Sequence, residues 1–167
     1  YPHTGSDPLF MLAPVLSALY AIPSRRINPL DASVVSLGHI SGGEASNVIP
    51  NEVMLRGTLR SLRAEVREQL WVDVENALRL TEHLGGGYKL NIIKGYPPMI
   101  NDPEANGWMR VVAANLLGEG VVKERPFGMG AEDFAYMTQR GKGAMFMLGA
   151  AVPEGAPRHH HTSTFDI

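Results

Sequence analysis

Apolar residues along the first 95 positions recur with two different periods, and the alternation between those periods lays out the elements. Leu9, Leu12, Leu16, Leu19 and Tyr20 return at helical spacing, which gathers side chains on one face. Asp7-Pro8 opens this run with a capping side chain and a proline at the first helical position, so a helix is expected from about Asp7 to Ala21. Pro14 falls in its interior, where proline removes a backbone donor and costs about 3 kcal/mol in a regular helix; a bend is expected there. Beyond Pro23 and Pro29 the stretch Ser33 to Ile40 is β-branched and apolar enough for a strand, which Gly42-Gly43 breaks. Val53, Leu55 and Leu59 then lie opposite Met54, Arg56, Thr58 and Arg60, predicting a strand over 52–60 with one core face and one largely polar face. The longer period returns at Val66, Leu70, Val74, Ala77 and Leu78, with Glu65, Arg67, Glu68, Asp73 and Glu75 between them, an amphipathic helix that stops at Gly85-Gly86-Gly87. Tyr88 to Lys94 reads as a further strand, with Tyr88, Leu90 and Ile92 on one side.

Helix, strand, strand, helix, strand is a β-α-β-β-α-β ferredoxin-like unit less its first strand, and the chain is expected to start just after that strand. Gly95-Tyr96-Pro97-Pro98 is proline-rich and unlike either neighbour, so a domain boundary is placed at Gly95. The second part, 96–167, repeats the cap-then-proline opening at Asp102-Pro103 and continues through Trp108, Val112 and Leu116 as a helix. A strand near Val121 to Glu124, a helix over Glu132 to Gln139 and a strand at Ala144 to Leu148 follow. The last is an apolar run bounded by glycines, as in a doubly covered α/β sheet. The expected fold class is therefore an incomplete α+β ferredoxin-like unit over 1–95, followed by α/β structure over 96–167.

Charge and composition narrow the partners. Fifteen basic against 17 acidic residues leave a formal charge of −2, which argues against nucleic acid or an anionic membrane as the main partner. The chain is 167 residues long, 44% hydrophobic and 19% charged, enough to bury a sizeable core. No apolar run is expected to approach the roughly 20 residues that cross a bilayer, and no signal segment opens the sequence. There are no cysteines, which excludes a disulfide framework and a thiolate site within these residues; a cytoplasmic setting is the expectation. Tyr1 and Ile167 both read as cut ends.

Four groups of side chains could carry chemistry. His159-His160-His161 follows the apolar run, where α/β sheets place ligands, and imidazole binds zinc and related divalent ions; the same triplet also suits a solvated turn. Glu132 and Asp133 fall in the first turn of a predicted helix, where acids complement the helix dipole, or where one carboxylate could face a metal or a polar substrate group. Asn47, in the connection Gly42 to Pro50, either caps its own turn or presents an amide to a substrate oxygen. Arg56 and Arg60 are either solvated or placed so that one grips a carboxylate through its planar fork. His3 is a loop histidine, and His39 and His83 read as surface residues. No phosphate-binding glycine loop, G-x-S-x-G elbow or zinc-finger spacing is present.

Tyr1-Pro2-His3, Asp7-Pro8, Gly42-Gly43 to Asn47-Val48-Ile49-Pro50, Gly57-Thr58-Leu59-Arg60, Gly95-Tyr96-Pro97-Pro98, Asn101-Asp102, Gly130-Ala131-Glu132-Asp133-Phe134 and His161 to Asp166 occur in an order that resembles the M20 metallopeptidase family. Its aminoacylase, hippurate hydrolase and indole-acetyl-amino-acid hydrolase branch is the nearest match. The resemblance implies a lid and dimerisation domain over 1–95 and the C-terminal part of a catalytic domain over 96–167. It also implies hydrolysis of the amide of N-acyl amino acids with two divalent metal ions, in a homodimer formed through the lid. His161 matches the family's C-terminal metal ligand, with Ser163 where the family has proline. Asn47, Arg60, His3 and Glu132 match residues at the substrate or near the metal pocket. The general base and the other ligands are expected upstream of Tyr1, so the isolated chain is not expected to turn over substrate. The alternative is a free-standing lid-like module for dimerisation or small-molecule binding.

Overall fold

The computed structural model describes residues 1–124, 128–149, 155, 158 and 162–165. They divide into two units, Tyr1–Ile100 with Lys123–Gly141, and Asn101–Val122 with Lys142–Ile167.

In the first unit α1 spans Pro8–Arg25, and the Asp7 carboxylate accepts from the amides of Leu9 and Phe10 at 2.9 and 3.2 Å. These are two of the donors a helix start leaves without intrahelical partners. The helix continues through Pro14 and Pro23, longer than its sequence pattern predicts. By length and composition α1 is apolar enough to cross a membrane, which corrects the expectation that no segment would be. A core helix has the same properties, and here Met11, Val15, Leu19 and Ile22 are buried.

Strands β1 (Ser33–Ser41) and β2 (Met54–Ser61) pair antiparallel, with Val35 opposite Leu59 and Ser36 opposite Thr58. Gly57 sits where a Cβ would come within 2.3 Å of the Ser36 carbonyl oxygen, so a side chain there would strike backbone. The register shifts between Leu37 and His39, leaving Gly38 as the extra residue of a bulge. Helix α2 (Ala64–Leu78) and the short α3 (Leu80–His83) follow. Val66, Leu70, Val74 and Ala77 of α2 join Val15, Leu19, Ile22, Ile27 and Val35 in one core, with Leu55 and Leu59 packed against it. Leu70 is completely buried. The polar partners of that sheet face, Met54, Arg56, Thr58 and Arg60, are exposed as the alternation requires.

Three expected strands are absent. Tyr88–Lys94, 121–124 and 144–148 carry no strand pairing, and the sheet of the described residues has two strands. A strand needs a neighbouring strand for its backbone groups, and none of these segments has one among the described residues. Tyr88 donates its hydroxyl to Glu75 at 3.2 Å, while Lys94 lies over the Trp71 ring, so this segment runs beside α2. Asp73, placed by its spacing among the polar positions of α2, is 3% exposed. Its carboxylate accepts from Arg26 Nε at 3.1 Å and from Gln69 Nε2 at 2.8 Å, and these bonds make its burial tolerable.

In the second unit α4 spans Pro103–Leu117, capped by Asp102, which accepts from the amides of Glu104 and Ala105. The Asn101 amide holds Met145 from both sides, donating to its carbonyl and accepting from its N–H, each at 2.9 Å. That exchange imitates one rung of a sheet, so Met145 is ordered without belonging to a strand. The helix expected over 132–139 is shorter, α5 at Phe134–Thr138, in the first unit.

Candidate functional site

Asn47 lies in the turn between β1 and β2, exposed, with the neighbouring Val48 N–H donating to the Ala45 carbonyl at 3.3 Å. Its side-chain amide makes no hydrogen bond among the described residues, so both its donor and its acceptor face solvent. Neither Asn47 nor Arg60 touches a carboxylate. Arg60 projects from the polar face of β2 and donates through Nη1 to the carbonyl oxygen of Met129 at 2.6 Å. A strand residue therefore holds the segment Gly128–Asp133 that carries Glu132.

Glu132 is half-buried, and its Oε1 accepts from the Phe134 N–H at 3.3 Å. That bond satisfies one of the free donors at the start of α5, where the sequence allows an acid to complement the helix dipole or to face a ligand. Asp133 is exposed and makes no cap bond. His3 sits in a 3-10 turn, Pro2–Thr4, with its ring edge-on to Tyr1 at 6.1 Å between centroids. His159, His160 and His161 lie outside the described residues. Among the described residues no three His, Asp or Glu side chains gather as a metal site. An open cavity of about 280 Å³ in the second unit is lined by Arg110, Val111, Ala114, Glu119, Gly120 and Val122, none of them a candidate residue.

The sequence leaves Arg60 either solvated or gripping a carboxylate and gives no sign of Met129 as a partner, because a backbone carbonyl 69 residues away leaves no mark in composition. It also passes over Trp71, which both Arg67 and Lys94 cover.

Residues 1–93 match the family model of the peptidase dimerisation domain of M20 enzymes. This chain belongs to the M20 peptidase family. A provisionally named hydrolase of Synechocystis sp. is 37% identical over 96% of the chain, and the N-acetyl-L-cysteine deacetylase of Bacillus subtilis is 34% identical over 96%. The M20 chain spans 42% and 38% of those two relatives' lengths. Among solved structures, a chain from methicillin-resistant Staphylococcus aureus, provisionally described as an aminohydrolase, superposes with a TM-score of 0.82 at 27% identity. The match covers 99% of this chain and 43% of that one. A Bacillus subtilis protein described as a dinuclear metal-binding peptidase of the M20 family matches 82% of this chain and 35% of its own, with a TM-score of 0.65. At 23% identity it speaks for the fold alone. The relatives of this M20 domain are thus named for hydrolysis and deacetylation, and one structural neighbour for two bound metals.

Proposed function

We propose that the chain is the lid and C-terminal portion of a metal-dependent amidohydrolase that cleaves the amide bond of N-acyl amino acids. In this reading residues 1–95 form a ferredoxin-like lid that pairs two copies into a homodimer, and residues 96–167 return to a catalytic domain. The observation that carries it is the family match over 1–93, together with relatives that the chain follows across nearly all of its own length. The Arg60 bond to Met129 adds support, since it brings a candidate substrate-binding residue beside the segment bearing Glu132.

The roles follow from what each side chain has free. Asn47 keeps an unengaged amide, suited to donating to a substrate oxygen whose negative charge grows during acyl transfer. Arg60 spends one N–H on Met129, and its remaining donors can bind a carboxylate. Glu132 lies in the segment that Arg60 holds and accepts from the Phe134 N–H, and it and His3 are the remaining proposed substrate contacts. Two divalent ions are the proposed cofactor, with His161 as the one ligand supplied by this chain. Among the described residues no three His, Asp or Glu side chains gather as a metal-binding set; in this proposal the other ligands and the general base come from elsewhere in the parent enzyme.

The parent polypeptide, offered N-acetyl amino acids, should release free amino acid, lose that activity to a chelator and regain it with divalent metal. His161→Ala should abolish the recovery. Asn47→Ala should lower kcat/KM roughly hundredfold, the usual effect of losing one oxyanion donor. Turnover indifferent to chelation would overturn the metal reading. A second reading, a non-catalytic dimerisation or binding module, is favoured by the family match ending at residue 93; it predicts a dimer in sedimentation with no hydrolysis by the parent.

A further inference from the structure

The face of the β1–β2 pair turned away from the core carries three nitrogen-bearing side chains. Arg60 stands opposite Val34, Thr58 opposite Ser36, and Arg56 opposite His39. No aspartate or glutamate lies on this face of either strand, from Val34 to Ser41 or from Met54 to Arg60. Arg60 has a partner in the Met129 carbonyl oxygen. Arg56 and His39 are exposed, and neither makes a hydrogen bond or an ion pair among the described residues.

His39 reaches this face only through the bulge. Val35 and Leu37 pack on the core, and strict alternation from them would put His39 on the core side as well. The extra residue at Gly38 resets the count and sets His39 beside Arg56. A Cβ at Gly38 would meet nothing within 4 Å, so no close contact there imposes the irregularity. Side chains directly opposite each other on antiparallel strands hold their Cβ atoms about 4.5–5.5 Å apart. Two donor-bearing side chains at that separation, with no acceptor between them, have their hydrogen bonds completed by an anion from outside the chain. A carboxylate suits them: the planar fork of Arg56 can take both its oxygens, and an imidazole N–H of His39 can add a third bond.

Four residues separate Arg56 from Arg60, about 13 Å along an antiparallel strand, so the two guanidinium groups are spaced for two anionic groups rather than one. Under the proposed function Asn47, in the turn that leads into β2, meets the acyl oxygen, and Arg60 meets the substrate carboxylate. Arg56 lies between that turn and Arg60, where the side chain of the amino acid would lie. We propose that Arg56 and His39 form a subsite for a second carboxylate, which selects N-acyl amino acids with an acidic side chain. This inference rests on the proposed amidohydrolase reading, whereas its test is equilibrium binding to metal-free protein, so hydrolysis and selectivity can fail separately.

N-acetyl-L-glutamate and N-acetyl-L-glutamine have the same shape and differ by one charge, while N-succinyl-L-glutamine moves the second carboxylate to the acyl group. Calorimetric titration of the chelator-treated parent polypeptide should show N-acetyl-L-glutamate bound about tenfold more tightly than N-acetyl-L-glutamine, and N-succinyl-L-glutamine no more tightly than the latter. Arg56→Gln should bring the glutamate-to-glutamine ratio close to one, and His39→Ala should lower it about threefold. Both side chains are exposed, so neither change disturbs the core. Lys89→Gln removes an exposed cation outside both strands and should leave the ratio as it was. A wild-type protein that does not distinguish the first two ligands, or an Arg56→Gln variant that still does, overturns the subsite. A preference for N-succinyl-L-glutamine that Arg56→Gln abolishes overturns its assignment to the amino-acid side chain, and loss of the ratio in Lys89→Gln overturns it in favour of net charge. Absence of hydrolysis by the metal-loaded parent overturns the proposed reaction and leaves the measured ratios standing.

Discussion

Replacing Arg26 by alanine leaves the Asp73 carboxylate, 3% exposed, with the Gln69 amide as its remaining partner. A hydrogen bond to a charged group contributes about 1.5–3 kcal/mol net. Stripping one partner from a fully buried pair costs about 3–5 kcal/mol. The Arg26 side chain is 60% exposed, so water screens much of the lost attraction and the lower range applies, about 2 kcal/mol. Asp73→Leu behaves differently, because it removes the charge together with the pair and puts apolar atoms beside Leu70 and Val74. Arg26 and Gln69 then turn to solvent, and the net cost should be under about 1 kcal/mol, or a gain. The double variant should match Asp73→Leu rather than add the Arg26 penalty. Urea unfolding followed by far-UV circular dichroism measures all three, provided m is unchanged. The Arg26→Ala loss corresponds to a fall in Tm of about 4–8 °C for a chain of this length. If Asp73→Leu destabilises as much as Arg26→Ala, Asp73 is stabilising in its own right and the reasoning fails.

Gly57→Ala should cost about 1–3 kcal/mol by forcing β1 and β2 apart at Ser36, whereas Gly86→Ala, which presses on the end of the Met11 side chain and meets backbone only at an ordinary 3.5 Å from the Thr81 carbonyl oxygen, should cost less; paired thermal melts order the two. Leu70→Ala, at a completely buried position, should lower stability by about 2–5 kcal/mol in the same urea experiment. Asp102→Ala removes both side-chain bonds at the start of α4 and should cost about 1 kcal/mol, seen as faster amide exchange at Glu104 and Ala105.

The starts of α1 and α4 are legible in the sequence because Asp-Pro capping is a local event, decided within four residues. The paired strands are legible because the alternation at Val53 to Arg60 records which face meets the core. Tyr88–Lys94 has the same alternation and forms no strand, since alternation reports burial and not the presence of a neighbour. The run Ala144 to Leu148 fails similarly, its Met145 being satisfied by the Asn101 side chain. Asp73 is misplaced by its spacing because its burial depends on Arg26, 47 residues away and on another element. Among the candidate site residues, Asn47 is exposed and unengaged, and Glu132 lies just before α5. Arg60 is where the polar face of β2 puts it, but Met129, its partner, belongs to a contact that only folding creates.

The bulge at Gly38 carries a consequence for changes in chain length. Because side chains alternate along β1, the inserted residue sets Ile40 opposite Leu55 and His39 opposite Arg56. Deleting Gly38 would remove that extra residue and reverse the side taken by the last three positions of the strand, putting His39 on the face of Leu55 and moving Ile40, already 48% exposed, to the opposite face. The same deletion would shift the start of the turn that presents Asn47 by one residue. A substitution along β1 thus changes one position, while a single missing codon there would exchange the faces of every position that follows it in the strand.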